Sequence, residues 1–193
     1  MLKIFNKISN RFNIFFSSLN SFKEFKRKKL KFVFFSENKS YQKYSKPFID
    51  VLCEKYPNEV YYFSIDYEDK IHDQRVNNFF VDKLLIKYFF NNLNASNIFL
   101  TLTDLDNHIV KKNSKVDRYI YYFHSPISTT KSYTTKAFDN YDIILCNANF
   151  QIEEIKAREK LNNLNKKHLI PTGYFYFDYL KENIDLKNNL NKI

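Results

Sequence analysis

Apolar and polar positions alternate along the chain in blocks rather than residue by residue. From residue 31 onward, short apolar runs recur: Lys31–Ser36 (KFVFFS), Val60–Ile65 (VYYFSI), Ile98–Leu102 (IFLTL), Tyr119–Phe123, Tyr141–Cys146 and His168–Thr172. Each is bounded by polar or turn-forming residues, so each reads as a buried strand. The runs are continuously apolar, which predicts a parallel sheet covered on both faces. Between them lie segments with helical spacing. Tyr44, Phe48, Val51, Leu52 and Tyr56 give helical spacing over 41–56, with the helix itself expected to start at Pro47, in its first turn, and to end at Pro57-Asn58. Residues 66–77 read as a polar loop and 79–93 as an apolar helix. Asn149–Leu161 reads as a charged helix, capped by Asn147 or Asn149 and carrying Glu153 and Glu154 near its start. A last helix is expected over 176–186. Strands alternating with helices predict an α/β fold with a doubly wound, Rossmann-like sheet over 31–193.

The first 30 residues follow a different pattern. Phe5, Ile8, Phe12, Phe15, Leu19 and Phe22 recur at spacings of three and four, which places an aromatic stripe on one face of an amphipathic helix. Its longest apolar run is three residues, far short of the roughly 20 needed to cross a bilayer. Net charge sharpens this division. The whole chain carries +10, from 31 basic and 21 acidic side chains. Residues 1–31 hold nine of the basic and one of the acidic, which leaves 22 and 20 for the rest of the chain. A basic arm on a nearly neutral body points to an anionic surface. One reading lays Phe5, Phe12 and Phe15 on a membrane, with Lys26, Arg27, Lys28 and Lys29 as polybasic support. The other packs the helix on this domain or on a neighbour. Nucleic acid is disfavoured as a partner, since a folded nucleic-acid-binding face would spread the charge.

Composition removes several chemistries. One glycine in 193 residues rules out both the dinucleotide fingerprint and the phosphate loop. Cys53 and Cys146 are isolated and set in apolar runs, so they read as core residues of a reduced, cytoplasmic protein. With the four histidines they show no metal-ligand spacing, so no metal and no cofactor is expected. His72, His108 and His168 read as exposed loop or edge residues.

Ligands of a doubly wound sheet bind outside the carboxyl ends of its strands. Three polar loops fall there: Ser36-Glu37-Asn38, Thr103-Asp104-Leu105-Asp106 and His124-Ser125-Pro126-Ile127-Ser128-Thr129-Thr130. His124 directly follows an apolar run, so its strand aims it at the crevice, where an imidazole can act as a general base. It can equally cap the sheet through hydrogen bonds. Ser125, Ser128, Thr129, Thr103 and Asp104 are candidate ligand-binding groups. Ser125, Ser128, Thr129 and Thr130 are equally natural caps for the next helical turn, and Asp104 and Asp106 natural turn formers. Tyr174 to Phe177 can stack a base or pack the last helix on the sheet. Without flanking glycines, Ser125 is no hydrolase nucleophile.

The stretch 117–180 carries a resemblance. The strand ending in His124, the run YDIILCNANF with Tyr141-Asp142 and Asn149-Phe150, and Gly173-Tyr174 followed by Asp178 resemble CDP-glycerol glycerophosphotransferases of the teichoic-acid polymerase type. The turn Asp104-Leu105-Asp106-Asn107 is similar to their segment ahead of the histidine strand. The pattern departs from the family at Ser125, where a glycine is usual, and at Phe175-Tyr176, where proline and arginine are usual. The resemblance implies the N-terminal half of a GT-B fold and transfer of glycerol phosphate, or a related polyol phosphate or sugar, to a cell-surface polymer. It makes His124 the base on a polymer or lipid-linked acceptor. It implies a nucleotide-binding C-terminal half on another domain or partner chain, and a place on the inner face of the plasma membrane. Without that half, activity is not expected from this chain alone, and a non-catalytic binding or regulatory domain is the alternative. For the arm, a peptide of residues 1–31 is expected to float with anionic vesicles and to bind DNA weakly. Preference for DNA would reverse the assignment of the arm.

Overall fold

The computed structural model describes Leu19, Phe25, residues 28–103, 105–107 and 110–181, and Ile184. Seven parallel strands form one sheet in the order β3-β2-β1-β4-β5-β6-β7. They are β1 (Leu30–Ser36), β2 (Val60–Ser64), β3 (Val76–Phe80), β4 (Ala95–Leu100), β5 (Val116–Tyr122), β6 (Ile143–Cys146) and β7 (His168–Pro171). The helices are α1 (Gln42–Lys55), α2 (Ile86–Asn92), the single turn α3 (Thr129–Ser132) and α4 (Asn149–Leu161). A further helical segment occupies 176–181. The expected Rossmann-like α/β architecture is therefore the observed one.

The continuous apolar runs bury both faces of the inner strands, whereas β3 and β7 at the two edges are only partly buried. Val33, Phe35, Tyr61, Phe63, Ile98, Tyr119 and Tyr121 enter one core, against Phe89 and Phe90 of α2 and Ile155 of α4. The alternate residues Phe34, Val60, Tyr62, Phe99, Ile120 and Tyr122 enter the other, against Ile49 and Cys53 of α1. Period-two side-chain direction makes this division automatic once helices lie on both faces. At the centre, Phe34 of β1 stacks on its register partner Phe99 of β4, with ring centroids 4.3 Å apart. Both cysteines are free and buried, as expected.

Strand order reverses between β1 and β4. The chain first winds outward through β2 and β3, then returns beside β1 and proceeds to β7. Such a reversal opens a crevice at the carboxyl ends of β1 and β4. The last strand, β7, is an edge. His168 N–H donates to Asp142 and Thr172 N–H to Cys146. Positions 169 and 171 therefore turn toward the free edge, and Pro171 there has no donor to offer a further strand.

Two expectations are corrected. The helix over 79–93 is instead β3, a turn and a shorter helix: Phe79 and Phe80 complete β3, Asp82 caps a 3-10 turn at Lys83–Leu85, and α2 follows. The strand hides behind Asn77 and Asn78, whose amides replace backbone partners. Asn78 Oδ1 accepts from Ile71 N–H at 2.8 Å while its Nδ2 donates to the Ile71 carbonyl at 2.9 Å. Pro47 does not start α1 but lies inside it. Winding begins earlier, at a 3-10 turn over Lys39–Tyr41 capped by Asn38, whose Oδ1 accepts from Ser40 N–H at 2.7 Å.

Of the arm's aromatic stripe, only Leu19 is described. It packs partly buried on the core, and Phe25 lies edge-on to Tyr61, Phe63 and Phe79. Phe5, Phe12, Phe15, Lys26 and Arg27 lie outside the described residues. Lys28 donates to the Tyr61 hydroxyl, and Lys29 pairs with Asp117 at 2.6 Å. No helix among the described residues is long and apolar enough to cross a membrane.

The carboxyl ends of β1 and β2 are tied by Asp69, whose residue is 3% exposed. Its carboxylate accepts from Ser36 Oγ (2.6 Å), Ser64 Oγ (2.8 Å) and Tyr62 Oη (3.0 Å), and from Gln42 Nε2 at 3.3 Å. Asp69→Ala strands the hydroxyls of Ser64 and Tyr62 and leaves Ser36 Oγ the Asn38 carbonyl at 3.0 Å. A loss of about 2 kcal/mol is expected, at about 1 kcal/mol per orphaned group. Urea unfolding of the two proteins checks this, and a loss below about 1 kcal/mol would refute the role.

Candidate functional site at the carboxyl edge of the sheet

His124 stands two residues beyond the end of β5, directly after the buried Phe123. Its ring meets two aromatics from the start of α1. Tyr41 lies edge-on, with centroids 5.4 Å apart, and Tyr44 is tilted at 6.0 Å. From the far side, Tyr174 Oη donates to the His124 carbonyl at 3.1 Å, and its ring stacks near Tyr44 at 6.4 Å. Tyr176 closes on Tyr44, with Lys43 Nζ 4.4 Å above its face. Gly173 makes this return possible. Its φ of +74° is a left-handed conformation that side chains resist, and it turns the chain from β7 back over the strand ends. The Tyr174–Phe177 cluster therefore packs on α1, with Phe175 edge-on to Phe48 at 5.2 Å.

The imidazole is half-buried. Its Nδ1 is buried and makes no hydrogen bond among the described residues. Burial pushes its pKa below the ordinary 6.5, because desolvation penalises the charged form. At neutral pH the ring is thus an uncharged base. Glu37, directly after β1, is the second titratable group at this edge. Burial raises its carboxyl above the ordinary value, and the Thr101 hydroxyl draws it partly back. Thr101, directly after β4, forms no hydrogen bond of full geometry at Oγ1 among the described residues. Glu37 has no ion-pair partner among them. Burial also raises the Tyr41 hydroxyl, and the charge of Glu37 adds to this.

The loop that follows His124 is clamped by the first turns of α4. The expected cap, Asn147 or Asn149, is replaced by Gln151. Its Oε1 accepts from Asn147 N–H at 2.8 Å, and its Nε2 donates to the carbonyls of Ser125 (3.3 Å) and Ile127 (3.0 Å). A glutamine three residues into a helix can fold back on the preceding N–H groups. Here the same side chain also grips the neighbouring loop. Asn147 Nδ2 adds a bond to the Phe123 carbonyl at 3.3 Å.

The hydroxyl-bearing candidates divide. Ser128 and Thr129 turn to Glu154, which accepts from Ser128 Oγ at 2.8 Å and from Thr129 Oγ1 at 2.7 Å. Burial alone would raise Glu154, but those hydrogen bonds outweigh it and hold the carboxyl below its ordinary value. Ser128 also caps α3. Thr129 lines a cavity of about 290 Å³ against α4 with Tyr133 and Arg158, and His124 is not part of its wall. Arg158 there is held by Asp139 at 2.7 and 2.6 Å. Ser125 stays beside His124. Thr103 lies in the loop after β4, and Asp104 and His108 lie outside the described residues. Asp106 builds that loop. It adopts φ +68°, and its Oδ1 accepts from Lys112 N–H at 3.1 Å. His72 and His168 are exposed, as expected. No group of three or more His, Cys, Asp or Glu side chains among the described residues can hold a metal ion.

Sequence reasoning placed Glu37 in a polar loop at the carboxyl edge without singling it out, and missed Tyr41, Tyr44 and Gln151 as site-building groups. Glu37 carried a signal, since it directly follows a predicted strand at the carboxyl edge. The other three are assigned only by contacts between segments distant in the chain, or across a helix turn and a loop.

The buried imidazole has a pH signature. Between its lowered folded pKa and 6.5 the unfolded chain binds more protons, so the His124 contribution to stability falls as pH drops through that window. Glu37, raised above 4.5, acts oppositely: its native form holds the extra proton, and its contribution falls as pH rises through the window above 4.5. Wild type is therefore expected to lose stability relative to His124→Gln as pH falls below 6.5. Urea unfolding of both proteins across that range checks it, and a constant difference would show that the neutral ring is not favoured. Comparison with family models, with curated proteins and with solved structures finds no match.

Proposed function

We propose that this chain is the acceptor-side half of a CDP-glycerol glycerophosphotransferase-like enzyme of GT-B type, with His124 as its general base. The observation that carries the reading is the imidazole itself: half-buried, at the carboxyl end of a central parallel strand, with an Nδ1 that has no hydrogen-bond partner among the described residues. An uncharged imidazole can take the proton of an acceptor hydroxyl as that oxygen attacks the phosphorus bearing glycerol. The new O–P bond forms, the bond to the nucleotide's phosphate breaks, and CMP carries away the electron pair. Glu37 and Thr101, across the switch point, offer an acceptor and a hydroxyl to orient the incoming group. The donor nucleotide would be held by a separate domain or chain. Ser125 remains a candidate contact to substrate, whereas Ser128 and Thr129 serve the fold through Glu154. The basic arm would dock the assembly on the cytoplasmic face of an anionic membrane.

A second reading, a binding or regulatory domain without chemistry, is favoured by one feature. Tyr41, Tyr44 and Tyr174 pack closely about His124, as they would around a purely structural residue. Turnover separates the two. In the chain reconstituted with a CDP-binding half, His124→Ala is expected to lower transfer from CDP-glycerol about 10²-fold or more. Unchanged transfer would remove His124 from the chemistry, and no transfer by the parent protein would favour the binding domain.

A further inference from the structure

A second concave surface lies between α4 and β7, away from His124. The groove measures about 750 Å³, and its walls include Lys156, Lys160, Lys166, Lys167, Glu159 and Leu169. Four lysines thus face one glutamate, and that glutamate is already engaged. Glu159 accepts from Lys167 N–H at 2.9 Å and lies 3.4 Å from Lys167 Nζ, and the two side chains are only 8% and 3% exposed. This pair forms the floor. Lys156 lies 3.7 Å from Glu153, with both side chains largely exposed. Lys160 and Lys166 have no ion pair among the described residues. Lys156 and Lys160 are four residues apart, so α4 presents both on one side, where like charges repel. An anion in the groove relieves that repulsion.

The lining decides what kind of anion. No aromatic ring among the described residues lines the groove, so it lacks the stacking platforms by which single-stranded nucleic acids are held. Its surface is concave, whereas a bilayer is met by a flat amphipathic face. Its cations are lysines, mobile point charges that suit a row of phosphates and do not require the bidentate geometry of arginine. We propose that this groove binds a linear, phosphate-bearing chain without bases. The proposal goes beyond the transferase reading and stands or falls without it.

The test uses the intact chain and a fluorescently labelled short inorganic polyphosphate, followed by anisotropy at several salt concentrations. Lys160→Glu/Lys166→Glu is expected to weaken binding at least about tenfold and to reduce the slope of log K against log salt by about two. Lys26→Glu/Arg27→Glu, an equal charge change in the arm, is expected to weaken it much less. His124→Ala should leave it unchanged, so failure of the groove and failure of the active-site reading are told apart. Equal loss in the two double variants would show a net-charge effect and overturn the proposal. So would absence of binding by wild type. Single-stranded DNA or phosphatidylglycerol vesicles held as tightly, through Lys160 and Lys166, would overturn it in favour of those partners. If the glutamate variant does not fold by circular dichroism, Lys160→Gln/Lys166→Gln gives the same comparison, with a slope again reduced by about two.

Discussion

A buried carboxylate organises the carboxyl edge of the sheet at β1 and β2. Asp69 sits among Ser36, Ser64, Tyr62 and Gln42 with no cation beside it among the described residues. Removing such a charge from water costs several kcal/mol unless hydrogen bonds replace the lost solvent. The donors therefore have little freedom. Ser36 and Ser64 lie at the ends of β1 and β2, so those ends are held level. Gln42 opens α1, so the helix start is held against them. Tyr41 and Tyr44 occupy that start and form the wall against which His124 rests. The path from Asp69 to the imidazole thus runs through hydrogen bonds, one helix terminus and two rings.

The opposite wall is built by different means. Gln151 and Glu154, on adjacent turns of α4, commit their polar atoms to the loop after β5. Each satisfies groups that would otherwise be lost to water at a strand-to-helix junction. The result is a short loop held at several points, with His124 at its base. Gly173 and Tyr174 complete the enclosure from β7. The buried imidazole nitrogen left without a partner among the described residues belongs to the residue with the most versatile chemistry near neutral pH. That contrast gives the imidazole its interest.

Architecture was legible where the physics is local. Runs such as FVFF and IILC can be buried on both sides only between two helical layers, so a parallel, doubly wound sheet followed from pattern. The helix over Asn149–Leu161 was legible to the residue. The strand at Val76–Phe80 was not, because Asn77 and Asn78 look like a loop until their amides are seen to stand in for backbone partners. Pro47 misled for a related reason. Its lost donor marks a helix start in isolation, but Asn38 had already begun the winding one turn and more earlier.

The site shows the same division. The sequence alone placed His124 at the end of a buried strand, because an apolar run must end where its polar neighbours meet solvent. It also marked Cys53 and Cys146 as core residues and excluded glycine-rich phosphate loops. Only the tertiary structure decided which polar groups remain available at the crevice. Ser128 and Thr129, equal to Ser125 by residue type, are consumed by Glu154, while Glu37, at the same edge as the histidine, has no ion pair among the described residues. Partners so far apart in the chain are chosen by the packing of α4 and α1 on the sheet, and no local pattern encodes that choice.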